Sequence, residues 1–225
     1  MREAYTQQGL SVDGENRLLP LWEILSVTAS ALITEWVVLS LAPGNKLVLA
    51  VPLVLALTLM FFSHSERGEG LKELGFRFDN FIPALVSLLI PTVVAAAAIV
   101  IVAWWVRGSE FSFSPVRLRF LTLPIWALFQ QYAVQGFVNR RAQLLWGRGL
   151  PSICLVAVFF GLLHLPNPLL TILTVLGGLI WAHAYQRAPN LFALALSHSA
   201  LSLLLAISLS PNYAHGLRVG IKYFA

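Results

Sequence analysis

Residues 81–106 read FIPALVSLLIPTVVAAAAIVIVAWWV, an apolar stretch without a charged side chain. About 20 such residues in an α-helix cross a hydrocarbon core about 30 Å thick. The rest of the chain has a similar character, since 58% of its 225 residues are hydrophobic and 11% are charged. Soluble domains carry about 25% charged residues. We therefore expect an all-α, polytopic integral membrane protein.

Apolar runs that are separated by proline, glycine, asparagine or charged residues predict about seven transmembrane helices, in a single membrane domain over residues 1–225. The fifth run is shorter than a bilayer requires. Serine followed by proline at 114–115 is typical of a helix start. The predicted segments are 20–42, 46–63, 81–106, 116–146, 151–164, 168–186 and 190–210.

The net charge of +5 does not indicate nucleic-acid binding, because the basic residues stand singly or in pairs between apolar runs. If the N-terminus lies inside, nine of the 15 Lys and Arg residues flank the inner ends of the helices and six the outer ends. This bias favours the N-inside orientation, and we expect a plasma membrane of the bacterial type, with lipid as a partner. Arg140 and Arg141 are interpreted as membrane-flanking residues that contact lipid headgroups.

Five polar side chains stand in otherwise apolar runs: Gln130, Gln131, Gln135, His164 and His198. Each unsatisfied polar group costs several kcal/mol in lipid, so polar residues at this depth face a bundle interior and mark functional sites. At about 1.5 Å per residue, helix lengths place the three segments' polar side chains at comparable depths. We expect all five to line one buried polar pocket.

Alternatives to a functional pocket remain open for these residues. Glutamines in membrane helices also bond neighbouring helices, at about 0.6 to 2 kcal/mol each. Histidines in a core are often satisfied by local hydrogen bonds. Two histidines without a third ligand at suitable spacing do not indicate a metal site, and we expect neither a metal nor a cofactor.

Several other polar residues carry weaker signals. Glu35 is a lone carboxylate in the first segment, which either bonds a neighbour, points to the outer face or replaces an acid in the pocket. Glu23 lies near a helix start, where a negative charge favours the helix dipole. Cys154 is expected to be a small core residue rather than a nucleophile. His64 is placed in a loop.

The polar positions resemble the motifs of the CAAX-protease and bacteriocin-processing family of membrane proteins, also called CPBP or Abi. That family shows Glu-Glu-x-x-x-Arg-Gly, then Phe-x-x-x-His, then His-x-x-x-Asn. The resemblance covers about residues 71–209. The corresponding stretches here are Gln130-Gln131-x-x-x-Gln135-Gly136, Phe160-x-x-x-His164 and His198-x-x-x-Ser202.

The resemblance implies a CAAX-type intramembrane endopeptidase that processes membrane-associated peptides. In the family, the first Glu and the histidine of Phe-x-x-x-His are taken to activate water, and these positions are Gln130 and His164 here. The last His and Asn, here His198 and Ser202, are taken to stabilise the oxyanion. A carboxamide cannot accept a proton as a carboxylate does, so the replacement puts hydrolysis in doubt.

The glutamines at the family's charged positions suggest a coordinated change. A buried Glu and Arg need each other, and replacing both removes the charges together. Two functions stay open: an endopeptidase in which His164 is the base and Gln130 orients the water, or a non-catalytic pseudoenzyme. The second would be a peptide-binding or immunity protein that holds a hydrophobic or lipidated peptide or a partner helix. A transporter is not favoured, because no pair of broken helices recurs in two halves.

Overall fold

The structure is a computed structural model that describes residues 14–42, 44–115, 121–209, 213 and 215–225. The regular structure of these residues is helical, as predicted, and the main helices are here numbered α1 to α7. α1 and α4 each contain a π-helical segment, Ile33–Val38 in α1 and Tyr132–Asn139 in α4. The bounds are Gly14–Leu32 continued to Leu41 for α1, Lys46–Glu66 for α2, Phe81–Arg107 for α3, Leu123–Gln131 continued to Trp146 for α4, Leu150–Leu162 for α5, Pro168–Arg187 for α6 and Leu191–Ser208 for α7.

Five of these helices are long and apolar enough to cross a membrane: α1, α2, α3, α6 and α7. α5 is apolar but shorter, as the sequence indicates. A polytopic membrane protein is confirmed, whereas the number of seven spans stays a prediction. The helix start predicted at 114–115 adjoins residues 116–120, which lie outside the described residues.

Asparagine side chains begin three of the helices. The Asn45 side chain accepts hydrogen bonds from the amides of Leu47 and Val48 at the start of α2. Asn167 and Asn190 cap α6 and α7 in the same way. Such caps satisfy amides that have no partner within the helix, which matters more in lipid than in water.

The core lies between α4, α5, α6 and α7, where Phe137, Val156, Phe160 and Ala182 are fully or almost fully buried. α5 and α6 approach closely at Gly178, which has no side chain. A Cβ atom there would lie 2.8 Å from the Cα of Ala157. Small residues permit such contact between membrane helices. The exposed faces of α2 and α3 are largely apolar, as expected for surfaces that meet lipid.

Cys154 lies on the exposed face of α5, so the prediction of a core cysteine is wrong. Ile153 and Val156 of the same helix are buried, whereas Cys154 lies on another face of it. An exposed thiol on an apolar helix face needs no packing partner in a membrane.

The connections of the bundle gather at two ends. One, the charged end, contains the start of α1, the α2–α3 connection, the α4–α5 connection and the α6–α7 connection. Arg67 binds Glu23 there, the amide of Gly149 donates to Gln186, and Asn190 donates to the carbonyl of Arg77. The opposite end contains the turn after His164. The helices therefore alternate in direction along the chain.

Candidate functional site

α4 carries amide side chains at every fourth position, Gln131, Gln135, Asn139 and Gln143. Residues four apart share one face of a helix. The first three are buried, and Gln135 and Asn139 have no exposed surface. Most of this stretch is π-helical, a form that occurs frequently at functional sites. α4 thus presents a row of neutral polar side chains to the interior of the bundle.

Gln131 meets His198 of α7 across the bundle. Its Nε2 lies 3.3 Å from Nδ1 of the imidazole. Because the amide nitrogen can only donate, Nδ1 accepts, and in the neutral ring the proton sits on Nε2. The ring packs against Trp181, whose centroid is 4.7 Å away, and against Phe160 at 5.7 Å. His198 therefore presents an N–H donor in an apolar aromatic setting.

His164 takes the complementary form. Its Nδ1 lies 2.8 Å from the carbonyl oxygen of Phe160, one helical turn earlier. A carbonyl only accepts, so Nδ1 donates and Nε2 keeps its lone pair in the neutral ring. The His164 ring contacts the edge of Phe160 with centroids 4.9 Å apart. Both imidazoles thus pack against one phenylalanine, one offering an acceptor and the other a donor.

Gln135 belongs to a second layer, one turn nearer the charged end. Its oxygen accepts from Asn139 at 2.8 Å. Asn139 in turn accepts from Gln186 of α6 at 2.9 Å, and Gln186 also donates to Ser152 of α5. Sequence reasoning missed Asn139, Gln186 and Ser152. The four-residue spacing from Gln135 was a signal for Asn139, whereas nothing local marks the other two.

Two amide atoms of this row are buried without a hydrogen-bond partner among the described residues. They are the oxygen Oε1 of Gln131 and the nitrogen Nε2 of Gln135. Buried polar atoms are nearly always bonded to protein, water or ligand. One is an acceptor and the other a donor, and they lie one turn apart on one face.

Gln130 and Ser202 are half-buried, on α4 and α7. The hydrogen bonds of the described residues do not include their side chains. Of the six predicted site residues, the structure joins Gln131 to His198, places His164 beside the same phenylalanine, and puts Gln135 in the adjacent layer. The catalytic roles that the resemblance implies for all six stay predictions.

Glu35 lies in the π-helical segment of α1, and its Oε2 is buried without a hydrogen-bond partner among the described residues. Its backbone lies against Gly220, where a Cβ atom would come within 2.8 Å of the Glu35 oxygen. The described residues give Oε2 of Glu35 no neighbour to bond, and the interpretations of this carboxylate stay predictions.

A second polar region lies at the charged end, where α4 carries Arg140 and Arg141. Arg141 is fully buried, 3.0 Å from Glu23 and 2.8 Å from Glu69. Arg140 binds the other oxygen of Glu69 at 2.6 Å. Headgroup contact is therefore wrong for Arg141, since it is enclosed by α1, α2 and the connection that follows α2.

Glu23 and His64 also take part in this cluster. Glu23 lies within α1 and accepts from Ser63 of α2 and from Arg67 after α2, so the predicted position at a helix start is wrong. His64 lies in α2 and not in a loop, and its Nδ1 is 2.6 Å from Glu69.

Glu69 lies in the connection after α2 and is bound from three sides. Although burial raises the pKa of this carboxyl, the hydrogen bond from His64 and the charges and hydrogen bonds of Arg141 and Arg140 lower it to about 2. The carboxylate is therefore fully ionised at neutral pH, which lets it hold both arginines.

Acidic residues are absent from the second half of the sequence. The last is Glu110, and residues 111–225 contain neither Asp nor Glu. The helices that form the polar pocket, α4 to α7, therefore contribute no carboxylate to it. Of the described Asp, Glu, His and Cys residues, no three lie close enough together to hold a metal ion.

Part of the chain matches a known protein family. No curated protein and no solved structure is similar enough to the chain to match. Residues 112–204 match the family described as type II CAAX prenyl endopeptidase Rce1-like. This range contains every motif position from Gln130 to Ser202, and over it the resemblance to the CAAX-protease family is confirmed.

Proposed function

We propose that the protein is a membrane peptide-binding homologue of the CAAX-type endopeptidases that has lost hydrolysis. The observation that carries this proposal is the pocket's polar inventory. It contains two neutral imidazoles and a row of amides, and residues 111–225 supply no carboxylate. A carboxamide hydrogen-bonds a substrate but does not take a proton from water.

The pocket's free groups match a peptide bond. A peptide unit has one N–H donor and one C=O acceptor. The Oε1 of Gln131 would accept from the peptide N–H. The Nε2 of Gln135 and the Nε2–H of His198 would donate to the peptide carbonyl. Phe160 and Trp181 supply apolar walls for the flanking side chains. An apolar environment with a few polar groups is typical of binding sites.

The ligand that suits this pocket is a membrane-associated peptide, hydrophobic or lipidated, or a partner helix. Such a segment reaches a pocket at membrane depth without leaving the lipid. The chain itself is integral to the membrane, and we place it in a bacterial-type plasma membrane with its N-terminus inside. The charged end, which contains the basic residues of the α2–α3 and α4–α5 connections, then faces the interior.

Restoring the family's charged residues tests the loss of hydrolysis. The protein in lipid nanodiscs is mixed with a fluorophore-labelled peptide that ends in a prenylated cysteine. We expect binding without cleavage for the natural sequence, and cleavage for Gln130→Glu combined with Gln135→Arg. The matched control combines Gln130→Glu with Gln143→Arg, which adds the same charges but places the arginine outside the motif.

Two outcomes contradict the proposal. Cleavage by the natural sequence that His164→Ala abolishes would show an active enzyme. Absence of binding by both the natural sequence and the double variant, with folding intact, would remove the peptide site.

An active endopeptidase is the second candidate, and one observation favours it. Nε2 of His164 carries a free lone pair in the neutral ring, because Nδ1 donates to the Phe160 carbonyl. That nitrogen is a competent base for a water held by Gln130, and His198 Nε2–H is a donor for the oxyanion. This candidate predicts slow cleavage that depends on both histidines.

A further inference from the structure

The C-terminal residues 215–225, here called the strap, lie across the turn that follows His164. The amide of Gly220 donates to the carbonyl of Leu165 at 2.8 Å. The side chain of Asn167 donates to the carbonyl of Arg218 at 3.1 Å. These two bonds fasten the strap on both sides of Pro166, within three residues of the imidazole.

Apolar contacts hold the strap to the opposite end of the bundle. Leu217 and Val219 pack against a cluster of buried residues from α3, α6 and α7. Tyr223 stacks on His215 with ring centroids 4.3 Å apart, and Arg218 bonds the carbonyl of Ala225. The strap is therefore a folded element with its own contacts.

The strap also touches α1, where Gly220–Phe224 lies against Ile33–Val38 and Leu39–Leu41, and the closest approach is at Gly220. Gly220 is buried and has a φ of +55°. A Cβ atom there would lie 2.8 Å from the carbonyl oxygen and 2.9 Å from the Cβ of Glu35. Only glycine permits both this backbone conformation and this approach. Gly220 thus joins the π-helical segment of α1 to the turn after His164.

An apolar cavity of about 400 Å³ opens between the same two elements. α1 contributes part of its lining, within the candidate span Leu18–Leu41, so the cavity lies at membrane depth. The other part comes from residues that flank His164 in sequence. The lining residues are Leu32, Ile33, Trp36, Val37, Leu162 and Leu165.

We propose that the strap is an internal closure of the pocket. It holds the π-helical segment of α1 against the turn after His164, and a peptide gains access from the lipid through the apolar cavity when Gly220 leaves Glu35. The closure explains why His164 is only 9% exposed although its Nε2 carries a free lone pair. This inference rests on the proposed peptide site and supplies its route of entry. Its test measures the accessibility of the His164 imidazole and not the binding of a peptide.

Gly220→Ala is the decisive variant, and Gly216→Ala is its matched control. Both glycines lie in the strap at nearly equal positive φ, +55° and +61°, so alanine is strained at both positions. A Cβ atom at Gly216 meets nothing nearer than 3.9 Å, in the Arg218 side chain. Only the first variant pushes the strap from α1.

The reagent is diethyl pyrocarbonate, which modifies the free lone pair of an imidazole, and mass spectrometry of peptides locates each modified histidine. We expect the rate at His164 to rise about tenfold in Gly220→Ala, a factor that corresponds to about 1.4 kcal/mol of easier opening. His183, exposed on α6, gives the reference rate and stays unchanged. Gly216→Ala should leave the His164 rate within about twofold.

Two results overturn the closure: an unchanged His164 rate in Gly220→Ala, or an equal rise in Gly216→Ala. If Gly220→Ala unfolds, the buried His64 and His198 become reactive as well. Val219→Ser then decides, because it weakens the strap's apolar contact without touching α1. A His164 rate that this variant leaves unchanged rejects the proposal, whatever the peptide-binding experiment shows.

Discussion

The two halves of α4 bury polar groups in opposite ways. In the half of α4 nearer the turn after His164, Gln131 and Gln135 are neutral, and one oxygen and one nitrogen of their side chains have no hydrogen-bond partner among the described residues. Towards the charged end, Arg140 and Arg141 are ionised and are held by Glu23 and Glu69. A single continuous helix thus presents a neutral pocket and a charged cluster within about three turns.

The difference distinguishes a region that can bind a ligand from a region that stabilises the fold. Charges that leave water must be paired, and the cluster pairs them with residues of α1 and of the α2–α3 connection. An unpaired amide atom costs less free energy of folding than an unpaired buried charge. The amide positions can therefore stay unpaired until a ligand binds. The family places a Glu and an Arg at the positions of Gln130 and Gln135. Here the charges of α4 begin at Arg140 instead, and their acidic partners lie outside the matched residues 112–204.

The largest expected effect is that of Arg141→Met, which leaves Glu23 and Glu69 short of a partner. We expect the free energy of unfolding in mixed detergent micelles to fall by about 3 to 5 kcal/mol. Arg140→Met is the matched control, because that side chain is 24% exposed and its loss should cost about 1 kcal/mol or less. Equal losses would show that burial does not distinguish the two arginines.

The next effect is a dependence of stability on pH that belongs to the charged cluster. The pKa of Glu69 is about 2 in the folded protein against an ordinary value of 4.5. A lowered folded pKa gives stability that is present above pH 4.5 and lost as the pH falls from 4.5 towards 2. We expect the free energy of unfolding to decline over this window.

Glu69→Gln should flatten that decline, whereas Glu73→Gln should retain it, because Glu73 is exposed and lies outside the cluster. Unfolding monitored by tryptophan fluorescence at a series of pH values measures both. A decline of the same slope in Glu69→Gln would assign the acid sensitivity to another group. The amide layer contributes nothing to this slope, since amides do not titrate.

The sequence predicts the helices well because apolar length and helix breaks are local signals. The starts of α2, α6 and α7 follow from Asn45, Asn167 and Asn190, each read from a few neighbouring residues. The π-helical segments are not local signals. They arise where packing against other helices shifts the hydrogen-bond register, and no residue pattern marked them.

The polar residues show the same contrast between local signals and contacts that depend on packing. Gln131, His164 and His198 were predicted to approach one another because an isolated polar group is expensive in lipid. The burial of Arg141 and Glu23 does not follow from that cost, because residues near helix ends can reach water or headgroups. Their burial depends on how α1 and the α2–α3 connection fold over α4, a long-range contact that spacing along the chain does not reveal.

The smallest expected effect concerns the amide layer, and it sharpens the comparison most. Gln131→Leu removes the donor to His198 and the free acceptor at once. We expect the affinity for the prenylated peptide to fall about tenfold, which equals about 1.4 kcal/mol, while the free energy of unfolding changes by about 1 kcal/mol. Anisotropy titration in nanodiscs measures the affinity.

Gln143→Leu is the control on the same face of the same helix. It also removes one hydrogen bond, to Asn139 at 3.1 Å, but it lies beyond the two unpaired amide atoms. If the amides serve only to join helices, the two substitutions lower stability alike and leave the affinity alone. If Gln131 belongs to a binding site, affinity and stability separate: Gln131→Leu loses the peptide and Gln143→Leu keeps it. We expect no such separation in the charged cluster, because Glu23 and Glu69 already hold both arginines of α4.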